Sequence, residues 1–201
     1  TFLFTDIEGS TNLAQNYPDE MPGLLARHNE ILNQAFQACK GFVFQTAGDS
    51  FSVAFHSAND ALNAALEAQR LLHKEVWSPA PIKVRMGIHT GAATAEAGAN
   101  EISYSGYATL ALTQRIMSAG HGGQILLSQT AHDLTRDRLP AQAHFVDLGE
   151  RCLKDVVHPE RLYQLMVPDL PSSFAPLNTL ESFKHNLPPQ LTSFVGRERE
   201  I

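Results

Sequence analysis

The sequence predicts an α+β fold in which a mixed, mainly antiparallel sheet is flanked by helices. Strand-like and helix-like segments alternate irregularly along the chain, and two pairs of neighbouring short strands have the pattern of hairpins. Strict alternation of strands with helices would instead favour a doubly wound parallel sheet. With 201 residues, 43% of them hydrophobic, the chain is long enough to bury one substantial core.

The first half of the chain begins with a strand. Residues 1–6 are β-branched and aromatic and end in a polar Asp6, the pattern of a central strand that brings a carboxylate to the edge of the sheet. Helical spacing of apolar residues over 21–39 predicts an amphipathic helix, which a glycine ends. Two short strand-like runs then flank a tight turn that exposes Asp49, and an Ala/Leu-rich helix follows over 57–75.

Pro79 and Pro81 separate this helix from the second half of the predicted fold. An alternating strand is predicted over 82–90, and a weaker one near Ile102. A helix over 107–119 ends at a run of glycines. The remaining predicted elements are a buried strand at 124–127, a helix capped by Ser128 that reaches Arg136, and two closing strands near 144–148 and 161–166.

Charge and composition restrict the partners. Lys plus Arg number 15 against 21 for Asp plus Glu, which gives a formal net charge of −6, the wrong sign for binding nucleic acid or an anionic membrane. No apolar run approaches the ~20 residues that span a bilayer, and we see no secretion signal, so a cytoplasmic location is expected. Cys39 and Cys152 lack the spacing of a zinc site or a disulfide framework. Because the chain begins without Met inside an apolar stretch, we expect residues to precede it.

Two aspartates are the candidate metal ligands. Asp6 lies between the first strand and the segment Gly9-Ser10-Thr11, and Asp49 lies in a hairpin turn that the sheet can place beside that strand end. Hard carboxylate oxygens suit Mg²⁺, and backbone amides at a glycine-opened helix start can meet phosphates. The pair therefore indicates a platform for a triphosphate. Spacing alone leaves a plainer alternative open, because turns also favour Asp for its local hydrogen bonds.

Four segments that occur in order along residues 1–167 carry a family resemblance. They are Phe4-Thr5-Asp6-Ile7-Glu8-Gly9-Ser10-Thr11, Gly48-Asp49-Ser50-Phe51, Arg85-Met86-Gly87-Ile88-His89-Thr90-Gly91 and Gly122-Gly123-Gln124-Ile125-Leu126-Leu127-Ser128. Together they resemble the catalytic domains of class III adenylyl and guanylyl cyclases. The resemblance implies a ferredoxin-like, palm-type sandwich for residues 1–167, the pairing of two such domains, and an active site across the dimer interface.

The resemblance also implies a role for each matching residue. Asp6 and Asp49 become the two metal-binding aspartates, with the carbonyl group of Ile7 as a further ligand. Two Mg²⁺ or Mn²⁺ ions would then activate the ribose 3′ oxygen and neutralise the triphosphate during in-line attack on the α-phosphorus. Arg115 matches the arginine that stabilises the transition state. Lys154 resembles a phosphate-facing lysine, although an exposed loop lysine is as often merely solvated.

Three positions depart from the family pattern. Gln45 stands where many bacterial members carry a Lys, and it can hydrogen-bond a purine but brings no charge. Ala111 stands one turn before Arg115, where the family has the Asn that orients the ribose. The base-selecting Asp should fall near Ser103 or Tyr104, and neither is acidic. Base choice therefore stays open, and the loss of a group that positions the reactants commonly costs about 10²-fold in rate.

Residues 168–201 have a different character from the rest. Their prolines, with no periodicity between them, predict an extended linker. The segment 186–201 resembles the start of the ATPase domain in large bacterial regulators in which a cyclase-like domain comes first. The phosphate-binding loop that would confirm this match does not occur in the sequence and would have to lie beyond it.

Two functions of different classes follow from the sequence. The first is a nucleotidyl cyclase, working as a homodimer, that converts a purine nucleoside triphosphate, with ATP favoured, to a 3′,5′-cyclic nucleotide and pyrophosphate. The second is a catalytically degenerate sensor or dimerisation domain that binds nucleotide and regulates a downstream ATPase. Asp6, Asp49 and Arg115 favour the first, whereas Gln45 and Ala111 favour the second. A relaxed base preference is a third outcome.

Overall fold

The computed structural model describes residues 1–97 and 102–180 of the chain. The strands within these residues are Phe2–Ile7 (β1), Phe42–Ala47 (β2), Ser50–Ala54 (β3), Val84–His89 (β4), Thr94–Ala97 (β5), Ile102–Ser105 (β6), Ile125–Ser128 (β7), His144–Arg151 (β8) and Glu160–Met166 (β9). The α-helices are Ser10–Asn16 (α1), Met21–Ala38 (α2), Ala58–Lys74 (α3), Tyr107–Ala119 (α4) and Gln129–Thr135 (α5). None of the described helices combines the length and the apolar character needed to cross a bilayer.

Seven of the described strands form one sheet in the order β2-β3-β1-β4-β7-β9-β8. Every neighbouring pair in it is antiparallel except β4 and β7, which are parallel. β5 and β6 form a separate antiparallel ribbon. The predicted α+β architecture with a mixed, mainly antiparallel sheet is confirmed. β5 was not predicted, because its Thr-Ala-Glu-Ala sequence has little apolar alternation.

Successive side chains of β1 point to opposite faces of the sheet and therefore meet different helices. Leu3 and Ile7 are buried in the main core, together with apolar residues of α2 and α3. Phe2 and Phe4 point to the opposite face of the sheet, where they pack with α4. Asp6 is in phase with Phe2 and Phe4. Its carboxylate therefore lies on the same face of the sheet as α4.

A close contact with Gly87 fixes the position of α4 over the sheet. A Cβ atom at this β4 residue would lie 2.5 Å from the backbone nitrogen of Met117, a distance that real Cβ atoms do not adopt. Glycine is needed at this position because the helix backbone rests directly on the strand. The Arg-Met-Gly segment of β4 and the helix that carries Arg115 are thus held in one rigid arrangement.

Residues 168–180, which we call the strap, leave β9 and pack back onto the domain. Asp169 accepts hydrogen bonds from Nε and Nη2 of Arg70 on α3 at 2.7 and 3.1 Å. Farther along the strap, Leu177 and Thr179 are buried. The strap is also tied by its backbone, since the N–H of Asn178 donates to the carbonyl of Ala119 at 2.9 Å. The first part of the predicted linker therefore lies against the domain, whereas residues 181–201 and their resemblance to an ATPase fall outside the described residues.

Candidate active site

The pairing of β1 with β3 and β4 builds a small polar cluster around Asp6. Asp6 and Arg85 are directly opposite each other in the antiparallel β1–β4 pair, and their side chains therefore share a face of the sheet. Atom Oδ2 of Asp6 accepts hydrogen bonds from Nε of Arg85 at 3.0 Å and from Nη2 at 2.5 Å. Atom Oδ1 accepts a hydrogen bond from the hydroxyl of Ser50 at 2.7 Å. Both oxygens of this largely buried carboxylate are thus held by named donors.

The β2–β3 turn brings the second aspartate to the same place. Gly48 adopts a left-handed conformation in this turn, with φ of 62°, which favours glycine and orients Asp49 back toward β1. Atom Oδ2 of Asp49 accepts a hydrogen bond from the backbone N–H of Ile7 at 3.0 Å. Asp49 therefore binds the backbone beside Asp6, while its neighbour Ser50 binds the Asp6 side chain. These reciprocal bonds bring together the two carboxylates that the sequence singled out as metal ligands.

The donor set of this cluster fits a hard divalent cation. Two carboxylates and an adjacent backbone carbonyl, that of Ile7, are the kind of oxygen ligands that Mg²⁺ takes from a protein when substrate phosphates and water supply the rest. No group of three or more His, Cys, Asp or Glu side chains that could hold a metal occurs among the residues described. The Asp6–Asp49 cluster suits an ion that a triphosphate also binds, because Mg²⁺ usually takes one or two carboxylates together with substrate phosphates and water.

Arg85 is a member of the site that the sequence analysis left without a role. It was quoted only within the Arg-Met-Gly-Ile-His segment, because nothing in the local sequence indicates which residue lies opposite it. The structure places its guanidinium on Asp6, with 25% of the Arg85 side chain and 17% of the Asp6 side chain exposed. A cation bound to Asp6 would release this guanidinium from its present partner. Arg85 then becomes a donor available to an anionic ligand.

The segment Gly9-Ser10-Thr11 forms the start of α1, directly after the Asp6 strand. Gly9 is the residue before the helix and has a left-handed conformation, with φ of 70° and ψ of 25°. Ser10 is partly buried and Thr11 is exposed. Amides in the first turn of a helix have no partner within the helix, and they are the groups that commonly bind phosphate. The predicted phosphate segment therefore lies next to the carboxylate cluster.

The other predicted catalytic residues lie toward the opposite edge of the sheet. Arg115 projects from α4, and its Nη2 atom contacts Oδ2 of Asp155 at 2.5 Å. Asp155 and the exposed Lys154 belong to the loop that joins the two strands at the β9–β8 edge. Ala111 is half-buried one helical turn before Arg115, on the same side of α4. Arg115 and Lys154 are thus brought near each other, but not to the Asp6–Asp49 cluster.

The candidate base-reading positions have contrasting surroundings. Gln45 is exposed on the edge strand β2, where the pairing with β3 shifts between Val43 and Gln45. Tyr104 is part of an aromatic cluster, with its ring centroid 5.4 Å from that of Phe2 and 5.0 Å from that of Phe44. Ser103 pairs with β5 through its backbone, and its side chain lies outside the described residues. Tyr104 therefore serves packing, and Gln45 is free of the core.

Two buried histidines stabilise the strands around the site as neutral rings. Burial lowers the pKa of His28, which lies under the β2–β3 hairpin with its ring centroid 5.9 Å from that of Phe51. Burial also lowers the pKa of His89 to about 4, and its Nδ1 atom lies 2.8 Å from the hydroxyl of Ser128. The sequence-based prediction that His89 is a hydrogen-bonded core residue is confirmed.

A cavity of about 520 Å³ lies next to the carboxylate cluster but does not contain it. Its walls include Glu8, Trp77, His121 and the strap residue Phe174. Neither Asp6 nor Asp49 lines this cavity. The carboxylate cluster therefore lies outside this cavity.

Comparison with known proteins gives the family. The family model of the adenylate and guanylate cyclase catalytic domain matches residues 1–166. An uncharacterised protein of Mycobacterium tuberculosis is 39% identical over 204 residues, which cover 100% of this chain and 68% of that protein. An adenylate cyclase of Podospora anserina is 30% identical over 217 residues, which cover 81% of this chain but 10% of that protein.

A solved structure gives the same result. A structure of adenylate cyclases from Trypanosoma brucei in their monomeric state superposes with a TM-score of 0.79 at 28% identity, covering 88% of this chain and 93% of that chain. The agreement of the family model, the relatives and the fold leaves one conclusion. The chain belongs to the family of adenylate and guanylate cyclase catalytic domains.

Proposed function

We propose that this domain is a working nucleotidyl cyclase that converts a purine nucleoside triphosphate, with ATP favoured, to a 3′,5′-cyclic nucleotide and pyrophosphate. The observation that carries the proposal is the convergence of Asp6 and Asp49, each fixed by a hydrogen bond from the segment that holds the other. Carboxylates that the fold already holds close together reduce the rearrangement needed to bind cations to the release of Asp6 by Arg85, and preorganised charge of this kind lowers a barrier that depends on charge.

Within one copy of the chain, separate residues bind the cations and the phosphates. Asp6, Asp49 and the carbonyl of Ile7 would hold two Mg²⁺ or Mn²⁺ ions, which would supply the charge that activates the ribose 3′ hydroxyl and neutralises the triphosphate. With cations on Asp6, the Arg85 guanidinium would be free to donate to the phosphates. The first-turn amides of Gly9, Ser10 and Thr11 bind the terminal phosphates in the same way.

A second copy supplies the remaining groups. Arg115 contacts Asp155 at the β9–β8 edge of its own sheet, whereas the carboxylates lie on the β1 and β2–β3 side. A homodimer therefore places Arg115 and Lys154 of the partner subunit over the triphosphate held by Asp6 and Asp49. Arg115 stabilises the charge that develops at the α-phosphate, and Lys154 binds the outer phosphates. Gln45, with Ser103 on the adjoining ribbon, contacts the base.

One observation favours a second function, that of a nucleotide-binding sensor or dimerisation domain that regulates a downstream ATPase. Tyr104 is fixed in an aromatic cluster, and Ala111 offers only a methyl group on the face of α4 that carries Arg115. The methyl group of Ala111 cannot hydrogen-bond a ribose, and the Tyr104 side chain carries no charge and is held by ring packing. A domain of this kind holds nucleotide without turning it over efficiently.

The experiment that separates the two functions is product formation by the purified protein. The protein, at high concentration to favour dimers, is incubated with each of the four ribonucleoside triphosphates and with Mg²⁺ or Mn²⁺. Asp6→Ala is the test variant, and Asp137→Ala, an exposed aspartate of a turn after α5, is the matched control. A cyclic product that Asp6→Ala loses and Asp137→Ala retains supports the cyclase and identifies its base.

Two other outcomes count against the cyclase. Metal-dependent nucleotide binding without product, measured by calorimetry, would favour the sensor. If neither product nor metal-dependent binding occurs, the proposed site itself is wrong.

A further inference from the structure

The Arg115–Asp155 contact joins the proposed transition-state arginine to a carboxylate of its own chain. The two atoms in contact, Nη2 and Oδ2, are 2.5 Å apart, and the side chains are 34% and 62% exposed. A guanidinium that is neutralised by a carboxylate stabilises a nearby phosphate less well, because its charge is already shared. The carboxylate and an incoming triphosphate therefore compete for Arg115.

The backbone of Asp155 indicates that this carboxylate is built into the fold. Asp155 has φ of 59°, a left-handed conformation that glycine adopts routinely and that Asp and Asn adopt more readily than other residues. Among the non-glycine residues described, only Lys40, Gln142 and Asp155 have a positive φ. The loop thus holds a non-glycine residue in an uncommon conformation at a position whose side chain contacts Arg115. Such an outlier is an observation from which a functional role can be inferred.

Buried apolar residues next to Arg115 and Asp155 fix the positions of α4 and the loop relative to each other. Ile116, next to Arg115 on α4, and Leu153, two residues before Asp155, are buried in one small cluster. Leu177 of the strap completes this cluster. The turn itself is closed by the N–H of Val156, which donates to the carbonyl of Leu153 at 3.2 Å. The ion pair is therefore set by packing beneath it, rather than by a chance meeting of long side chains.

We propose that Asp155 is a positioning residue that holds Arg115 away from the triphosphate until substrate displaces it, an inference that rests on the proposed function. The pair is exposed, and pairs of this kind change an equilibrium by a factor of about two to five. The restraint is therefore weak enough for a triphosphate to overcome. Its removal raises the fraction of Arg115 side chains that are available for the reaction.

The test is Asp155→Asn, which removes the charge, keeps the size and adopts a left-handed backbone readily. We expect kcat/KM of the dimer for the triphosphate that the protein uses to rise about two- to fivefold at low salt. Salt screens the pair in the wild type, so the ratio of variant to wild type should fall toward one at about 1 M salt. A residue with only a structural role would not produce this salt-dependent ratio.

Two further variants make the test specific. In the Arg115→Ala background, Asp155→Asn should change nothing, because a coupling between two residues disappears when either is absent. Asp133→Asn is the matched control, since Asp133 is an exposed carboxylate of α5 that pairs with Arg136 instead of Arg115. Thermal unfolding of each variant shows whether the fold is retained.

The outcomes separate failure of the inference from failure of the proposed function. If the wild type forms product and Asp155→Asn leaves kcat/KM unchanged or lowers it, the inference is wrong and the cyclase stands. If nucleotide binds without turnover, the same comparison is made on the dissociation constant, where tighter binding by Asp155→Asn supports the inference and equal binding overturns it. If neither protein binds a triphosphate with metal, both proposals fall together.

Discussion

Asp6 on β1 and Asp49 in the β2–β3 turn lie at one side of the sheet, whereas Arg115 and Lys154 lie on a helix and a loop toward the other edge. Asp49 accepts a hydrogen bond from the backbone of β1, and Asp6 accepts hydrogen bonds from side chains of the two strands that flank it. Arg115 instead contacts one exposed carboxylate, and Lys154 is exposed. We call the first group the carboxylate half of the site and the second the cation half.

The two halves differ in how strongly the fold depends on their residues. Residues of the carboxylate half are held by strand register, and a change there would leave a partly buried charge or N–H group without its partner, which is costly. Arg115 and Lys154 of the cation half lie on a helix surface and in a loop, and Ala111 lies one turn before Arg115 on α4. Substitutions at such positions cost the fold little. The fold therefore constrains the carboxylate half more strongly than the cation half.

The strongest test of the carboxylate half is Asp49→Asn. Asparagine keeps an oxygen that accepts the N–H of Ile7 but lacks the charge that holds a cation. We expect metal-dependent turnover or triphosphate binding to fall by about 10²-fold or more, because a displaced or missing reacting group commonly has this effect. Thermal unfolding without metal should change little. Equal binding by Asp49→Asn and by the control Asp137→Asn would rule out the proposed ligand role.

A pH titration of stability tests the strands that support both halves, since β4 carries Arg85 and lies under α4. Folding holds the pKa of His89 at about 4, below its usual 6.5. The unfolded chain therefore takes up the proton first as the pH falls, and stability is lost from about pH 6.5 toward pH 4. Between pH 7 and pH 5 this histidine should remove about 2 kcal/mol from the free energy of unfolding.

Urea unfolding at pH 7 and pH 5 measures this effect. The variant His89→Gln keeps a polar group near Ser128 and cannot be protonated, so its loss between the two pH values should be smaller than that of the wild type. An equal loss in both proteins would mean that His89 does not limit acid stability.

A gain-of-function variant, Ala111→Asn, tests the role of the helix that carries Arg115. The new amide lies one turn before Arg115 on the same side of α4, where it can hydrogen-bond the ribose. A misplaced reactant commonly costs about 10²-fold in rate. We expect the new amide to recover part of this loss, so that turnover rises about tenfold. The control is Ala108→Asn, an exposed position on the same helix. A rise in both variants, or in neither, would contradict the role of position 111.

The smallest expected effect is on base choice, through Gln45→Lys. Lysine donates but cannot accept, so it fits the N1 acceptor of adenine and leaves the N1–H of guanine without a partner. A charge-assisted bond exceeds a neutral one by about 1 kcal/mol, which predicts a rise of about fivefold in the preference for ATP over GTP. The ratio of kcat/KM values measures it. The control Thr46→Lys, on the next exposed residue of β2, should leave that ratio unchanged.

The sequence predicted the features that depend on local pattern. The sheet class followed from alternation and turns, and the meeting of Asp6 with Asp49 followed from a strand end and a hairpin turn. The Asp6–Arg85 pair was not predicted, because strand register between residues 79 positions apart is a property of the tertiary fold. The left-handed conformation of Asp155 and the burial of Tyr104 likewise depend on neighbours that are distant in sequence.

Because the strap packs onto the domain, the piece of chain that can be moved intact to another protein is longer than the family match. The family match stops at residue 166, yet Leu177 is 8% exposed within an apolar cluster, and the N–H of Leu180 donates to the carbonyl of Cys152 at 3.1 Å. A recombinant or natural fusion joined directly after Met166 would lose these contacts and expose the flank of α4. Grafting this domain onto another protein therefore requires the chain through Leu180.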